Sequence, residues 1–134
     1  MKLPKNALVA VADGEILKLY RNTGDEGSPS LTALPDADIS TSNKGSGGRH
    51  QSSSANPSDS QQDEDGFAAG IAALLNKQVM GGKVDAVVVI AAPRTLGELR
   101  KHYHKTLEAK LVGEVSKDLT GHSVADILKA IASA

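Results

Sequence analysis

Four side chains able to do chemistry, Asp13, Arg94, Lys117 and Asp118, stand at or just past the ends of apolar runs in this 134-residue chain. Two carboxylates and two cations gathered on one rim would form a polar cleft for a charged ligand. The plainer alternative has Asp13 acting only as a turn residue and Arg94 pairing with Asp118 to satisfy a strand end. A further alternative is metal-dependent phosphodiester cleavage, which needs several carboxylates converging on ions roughly 4 Å apart. Asp13 suits that role and Asp63, Glu64 or Asp65 suit others. However, the run ending in Ala91-Ala92-Pro93-Arg94 has no acid where one is wanted, and Asp85 sits at its opposite end.

Other constellations carry less. His102 and His104 are two residues apart, so on a helix they diverge by about 200° and cannot share a metal. Solvated surface histidines are the simpler reading. Residues 94–117 hold six Lys or Arg against three Glu, an excess that reads as a solvated helical face or a surface touching phosphates. No Ser-His-Asp set or phosphate-binding loop is visible, so no cofactor and no metal are expected.

Bulk properties narrow the partners. The net charge of −1 argues against binding DNA or an anionic membrane through a global field. Aromatics make up only 2 % of the chain, too few for a base-stacking platform, so the core must be built from Val, Ile, Leu and Ala. The chain has no cysteine, which fits a reducing compartment. The apolar run at residues 7–12 is too short for a signal-peptide core, and no stretch approaches the roughly 20 apolar residues of a membrane helix. A cytoplasmic protein is expected.

The elements that must position these residues follow from periodicity. Residues 7–12 are apolar on both faces, as in a central strand. Asp13-Gly14 reads as a tight turn, with Gly tolerating positive φ, into partner strand 15–21 and then a third strand at 30–34. Residues 36–62 turn to Ser, Gly, Asn and Asp, and a flexible loop is expected at about 37–62. Ser60 to Asp63 reads as a capping box, Phe67, Ile71, Leu74, Leu75 and Val79 mark one helix face, and Gly81-Gly82 stops it. Residues 84–92 read as a buried parallel strand. A second capping box at Thr95 to Glu98 opens a helix facing the core with Leu96, Leu99 and Tyr103. Residues 111–116 make a weaker strand, and Ser123 caps a last helix carrying Val124, Ile127, Leu128 and Ile131 inward. The predicted order is βββαβαβα: an α/β fold with a five-stranded mixed sheet, order 3-2-1-4-5, of ribonuclease H-like type, in a single domain spanning 1–134. Sites in such sheets form past the carboxyl ends of parallel strands, where Asp13, Arg94, Lys117 and Asp118 fall.

Four stretches carry a resemblance. Val11-Ala12-Asp13-Gly14, Gly47-Gly48-Arg49-His50, residues 92–100 (Ala-Pro-Arg-Thr-Leu-Gly-Glu-Leu-Arg) and Lys117-Asp118-Leu119-Thr120 resemble the bacterial family called "protein required for attachment to host cells". That family is similar in fold to the middle domain of archaeal and eukaryotic release factors, which carries a Gly-Gly-Gln tip on a loop before a long helix. The resemblance implies a translation-linked module contacting the ribosome or tRNA, with Gly47, Gly48, Arg49 and His50 as loop contacts. Glutamine appears only at Gln51, after Arg49-His50, so a binding module is expected rather than an enzyme; any activity would be hydrolytic. The runner-up is a small-ligand or protein-binding regulator connected with host attachment, using the Asp13, Arg94, Lys117 and Asp118 rim. Partners are then the ribosome or tRNA, without DNA or membrane, and a homodimer is compatible with either reading.

Overall fold

The computed structural model describes residues 1–35, 39 and 58–134. Strands β1 (Leu8–Ala12), β2 (Leu17–Asn22), β3 (Leu31–Ala33), β4 (Val87–Ala91) and β5 (Leu111–Ser116) form a sheet in the order β3-β2-β1-β4-β5. The β1–β2 and β2–β3 pairs are antiparallel, whereas β1–β4 and β4–β5 are parallel. Only β2 therefore runs against the rest, as the sequence predicts. The helices are α1 (Ser58–Met80), α2 (Pro93–Arg100), α3 (Lys105–Lys110) and α4 (Val124–Ser133).

Every residue of β1 and β4 is buried, because helices cover both faces of the central strands. Leu8, Ala10, Ala12, Val87, Val89 and Ala91 pack with Ile71 and Leu75 of α1, Leu96 and Leu99 of α2, and Leu107 of α3. Val9, Val11, Val88 and Ile90 pack on the opposite face with Leu3 and with Ile127 and Ile131 of α4. Alanines at the centre of β1 let the helices sit close without aromatic bulk.

Several expectations need correction. The segment after Pro93 holds two helices, not one. Asn76 of α1 takes hold of the chain between them, donating to the His102 carbonyl at 3.0 Å and accepting from the His104 amide at 2.9 Å. The ring of His104 then caps α3 by accepting from the Thr106 amide at 3.1 Å. His102 and His104 thus lie in a turn rather than on a helix, and both are exposed. The Thr95 capping box does not form, because Pro93 with its fixed φ takes the first helical position and Ala92 becomes the cap. Helix α1 begins at Ser58, ahead of the capping box expected at Ser60. Gly14 is not in the left-handed region; among the described residues, positive φ occurs at Asn6 and Gly82. At Gly82 it closes α1 as expected, with the amide reaching Val79.

Two polar residues fasten the frame. Asn22 is fully buried, donating to the carbonyls of Leu3 and Pro4 and accepting from the amides of Gly24 and Ser30, all at 3.0–3.1 Å. It ties the first residues to the β2–β3 turn at the border opposite Asp13. Glu114 of β5 accepts from Arg100 at 2.8 Å and from the Tyr103 hydroxyl at 3.1 Å, fixing the end of α2 to the sheet edge.

Two outcomes test these ties. Asn22→Ala strands four backbone groups and is expected to cost about 3 kcal/mol in urea unfolding, with the m-value unchanged. Burial first, and the charge of Glu114 second, push the Tyr103 phenol above its ordinary value. The folded chain then keeps a proton that the unfolded chain releases near pH 10, so this contribution is complete below about pH 10 and is lost as pH rises further. Tyr103→Phe is expected to flatten that alkaline fall in stability, followed by urea unfolding at pH 9 to 11.

Candidate functional site

The register sets the geometry of the rim. Ala12 pairs with Ala91, and Ala91 with Ser116, so these three strands finish level with one another. The residues that follow them, Asp13, Ala92-Pro93-Arg94 and Lys117-Asp118, leave the sheet at one border. Strand β3 runs the same way, and the amide of Leu34 donates to Leu19 at 2.9 Å just below this border. Helix α1 approaches there too: a Cβ at Gly14 would lie 2.8 Å from the Glu64 carboxylate carbon. The Glu64 side chain thus lies over Gly14, whose backbone conformation does not itself call for glycine. The segment carrying Gly47, Gly48, Arg49 and His50 lies outside the described residues, but the chain departs toward it and returns from it beside the β1–β2 turn.

Asp13 has a double task. Its Oδ1 accepts from the amides of Glu15 and Ile16, both at 2.7 Å, closing the turn into β2. Its Oδ2 accepts from the hydroxyl of Thr120 at 3.0 Å, across 107 residues of chain. The same hydroxyl lies 2.8 Å from Asp118 Oδ1, which also accepts from the Thr120 amide at 3.2 Å. A hydroxyl has one proton, so it serves one carboxylate at a time and leaves the other with a lone pair facing it. Asp13 and Asp118 are therefore brought together through Thr120, which is 7 % exposed.

The two cations behave differently. Arg94 and Lys117 are exposed and form no ion pair or side-chain hydrogen bond among the described residues. The alternative in which Arg94 pairs with Asp118 is not what the structure shows, since Asp118 turns to Thr120 instead. Of the six cations in 94–117 three are paired: Arg100 with Glu114, Lys101 with Glu98, and Lys110 with Asp85. Among the described residues no three His, Asp or Glu side chains converge as a metal site would need.

Thr120 was within reach of sequence reasoning. Asp118-Leu119-Thr120 has the spacing of an Asx turn, in which a side-chain oxygen accepts from the amide two residues on. What spacing does not reveal is that the threonine also faces Asp13, because that contact depends on β1 and β5 finishing at the same level.

The family model of the bacterial archaeo-eukaryotic release factor family 12 matches residues 6–131, and the chain belongs to that family. No curated protein matches it. The match runs from β1 into α4 and so includes every element that frames the rim.

Thr120→Val keeps the shape of the side chain but removes the proton between Asp13 and Asp118. It is expected to cost about 1–2 kcal/mol in urea unfolding, and Thr120→Ser, which keeps the hydroxyl, less.

Proposed function

From that family membership, we propose that this chain is a translation-linked module of the cytoplasm that contacts the ribosome or tRNA. The observation that carries the reading is the family match over residues 6–131, joined to a sheet of release-factor-like topology. The contact would run through Gly47-Gly48-Arg49-His50, a stretch that lies between β3 and α1, both anchored at the β1–β2 border. Glycines allow backbone to approach a confined centre, and Arg49 supplies a planar donor set suited to phosphate. Glutamine stands at Gln51 rather than directly after the glycine pair, so the reading is one of binding and not of ester hydrolysis. Among the described residues no helix is long and apolar enough to cross a membrane.

A second reading has its own support. Arg94 and Lys117 are cations without a partner among the described residues, on the same border as Asp13 and Asp118. That arrangement favours a regulatory domain whose rim takes a small ligand or a protein. The likeness to proteins required for host attachment would then describe the outcome of that regulation, not adhesion by this chain.

Co-sedimentation with purified ribosomes separates the two. On the translation reading, the Arg49→Ala/His50→Ala double variant is expected to lose at least about tenfold in affinity, the equivalent of about 1.4 kcal/mol. Binding that persists unchanged in that variant, or no binding by the unaltered chain, rejects the loop contact.

A further inference from the structure

The first turn of α2 holds a set of donors with no acceptor among the described residues. Helical hydrogen bonding there begins with the Leu96 amide, which reaches Ala92 at 2.9 Å. The cap residue is Ala92, which has no side chain to offer, and the first turn contains no acid. The amides of Arg94 and Thr95 have no acceptor among the described residues. Such amides at a helix start collect partial positive charge.

The independent observation is the Thr95 hydroxyl. Thr95 is 7 % exposed, yet its side chain makes no hydrogen bond among the described residues. Buried hydroxyls are nearly always partnered, because leaving one unpaired costs free energy. Side chains on a helix lean toward its N-terminus, so the hydroxyl of this third residue lies over the same end as the two free amides. Its position around the helix is about 140° from Arg100, which reaches β5, so it does not share the face turned to that strand. The helix starts at the border where β1 and β4 end level, where the chain's path around the sheet reverses and where open α/β sheets hold ligands.

We propose that the first turn of α2 is a binding site for a phosphate group, held by the Arg94 and Thr95 amides, the Thr95 hydroxyl and the Arg94 guanidinium. Arg94 is exposed and without an ion-pair partner among the described residues, so it is available as the charged clamp. The acids of the rim do not compete for these donors: Asp13 and Asp118 are turned to Thr120 and to turn amides. The phosphate is either a monoester on a small molecule or a diester in an RNA backbone, which present the same oxygens to this turn. The site goes beyond the loop contact and does not depend on it.

Assigned amide spectra of the full chain, titrated separately with inorganic phosphate, a nucleoside monophosphate and a short single-stranded RNA, test the site. Saturable shifts centred on the Arg94 and Thr95 amides are expected with at least one probe. Arg94→Ala is expected to weaken the affinity about tenfold and Thr95→Val about threefold. Lys105→Ala, which removes an exposed cation elsewhere, is expected to change nothing. Saturation by phosphate and the monophosphate assigns a small ligand, and saturation by RNA alone assigns a diester backbone. No saturable shift with any probe overturns the proposal, as do shifts that survive Arg94→Ala undiminished; that variant is at the surface and decides the matter should Thr95→Val fail to fold. Arg49→Ala/His50→Ala is expected to keep the shifts whatever its effect on ribosome binding, and their loss would reassign the site to the loop and overturn it.

Discussion

Everything distinctive about this molecule depends on the parallel pairing of β1 with β4. The two strands share ten buried positions across five matched pairs, Leu8 with Val87 through Ala12 with Ala91. Sliding β1 by one residue against β4 would send Val9 and Val11 to the face occupied by α1 and α2, and Leu8, Ala10 and Ala12 to the other, so the packing of both faces fixes the register. The register in turn fixes which residues finish level. Asp13 and Arg94 face the same solvent only because Ala12 and Ala91 are partners. The site chemistry is thus a consequence of core packing, with no separate device holding the rim together at its centre.

The edges of the rim are secured differently. On the β5 side, a single hydroxyl does the joining: Thr120 spans the distance from Asp118 to Asp13 and so links the segment after the last strand to the first hairpin. Such a link is sensitive to chemistry, since replacing one oxygen removes the hydroxyl donor from Asp13 Oδ2 and leaves Asp118 Oδ1 with the Thr120 amide alone among the described residues. On the α2 side nothing comparable exists among the described residues. Ala92, Arg94 and Thr95 leave the helix start without an internal acceptor, and the contrast with Ser123, whose hydroxyl accepts from Asp126 at 3.2 Å to cap α4, shows that the fold readily caps a helix where the sequence supplies an oxygen.

Much of this was legible in the residues. Apolar runs on both faces announced β1 and β4, and Ser123 and Gly82 marked helix ends by mechanisms that act over a few residues. The order of strands followed from connection rules that apply to any such chain. The failures share a cause. The Thr95 capping box has the right residue types, but Pro93 two residues earlier can occupy the first helical position, and competition between two local signals is decided by where the strand before them ends. The break between α2 and α3 was hidden because Asn76, which makes it, lies on another helix 26 residues away. The place of Gly14 in a turn suggests a backbone role, whereas its φ is not positive and the Glu64 side chain lies within 2.8 Å of where a Cβ would be.

The rim residues divide along the same line. Their presence on one border could be inferred from sequence, because topology alone places strand ends. Their partnerships could not, because a partnership depends on which of several donors reaches an oxygen first. Asp118 had two candidates, Arg94 and Thr120, and the shorter loop wins: a hydroxyl two residues along the chain loses less conformational freedom in reaching it than a long guanidinium on a separate helix. Losing that competition leaves Arg94 without an ion-pair partner among the described residues. A cation without such a partner, beside amides and a buried hydroxyl that have no acceptor among the described residues either, is an arrangement whose unmet hydrogen bonds an incoming oxyanion would satisfy together.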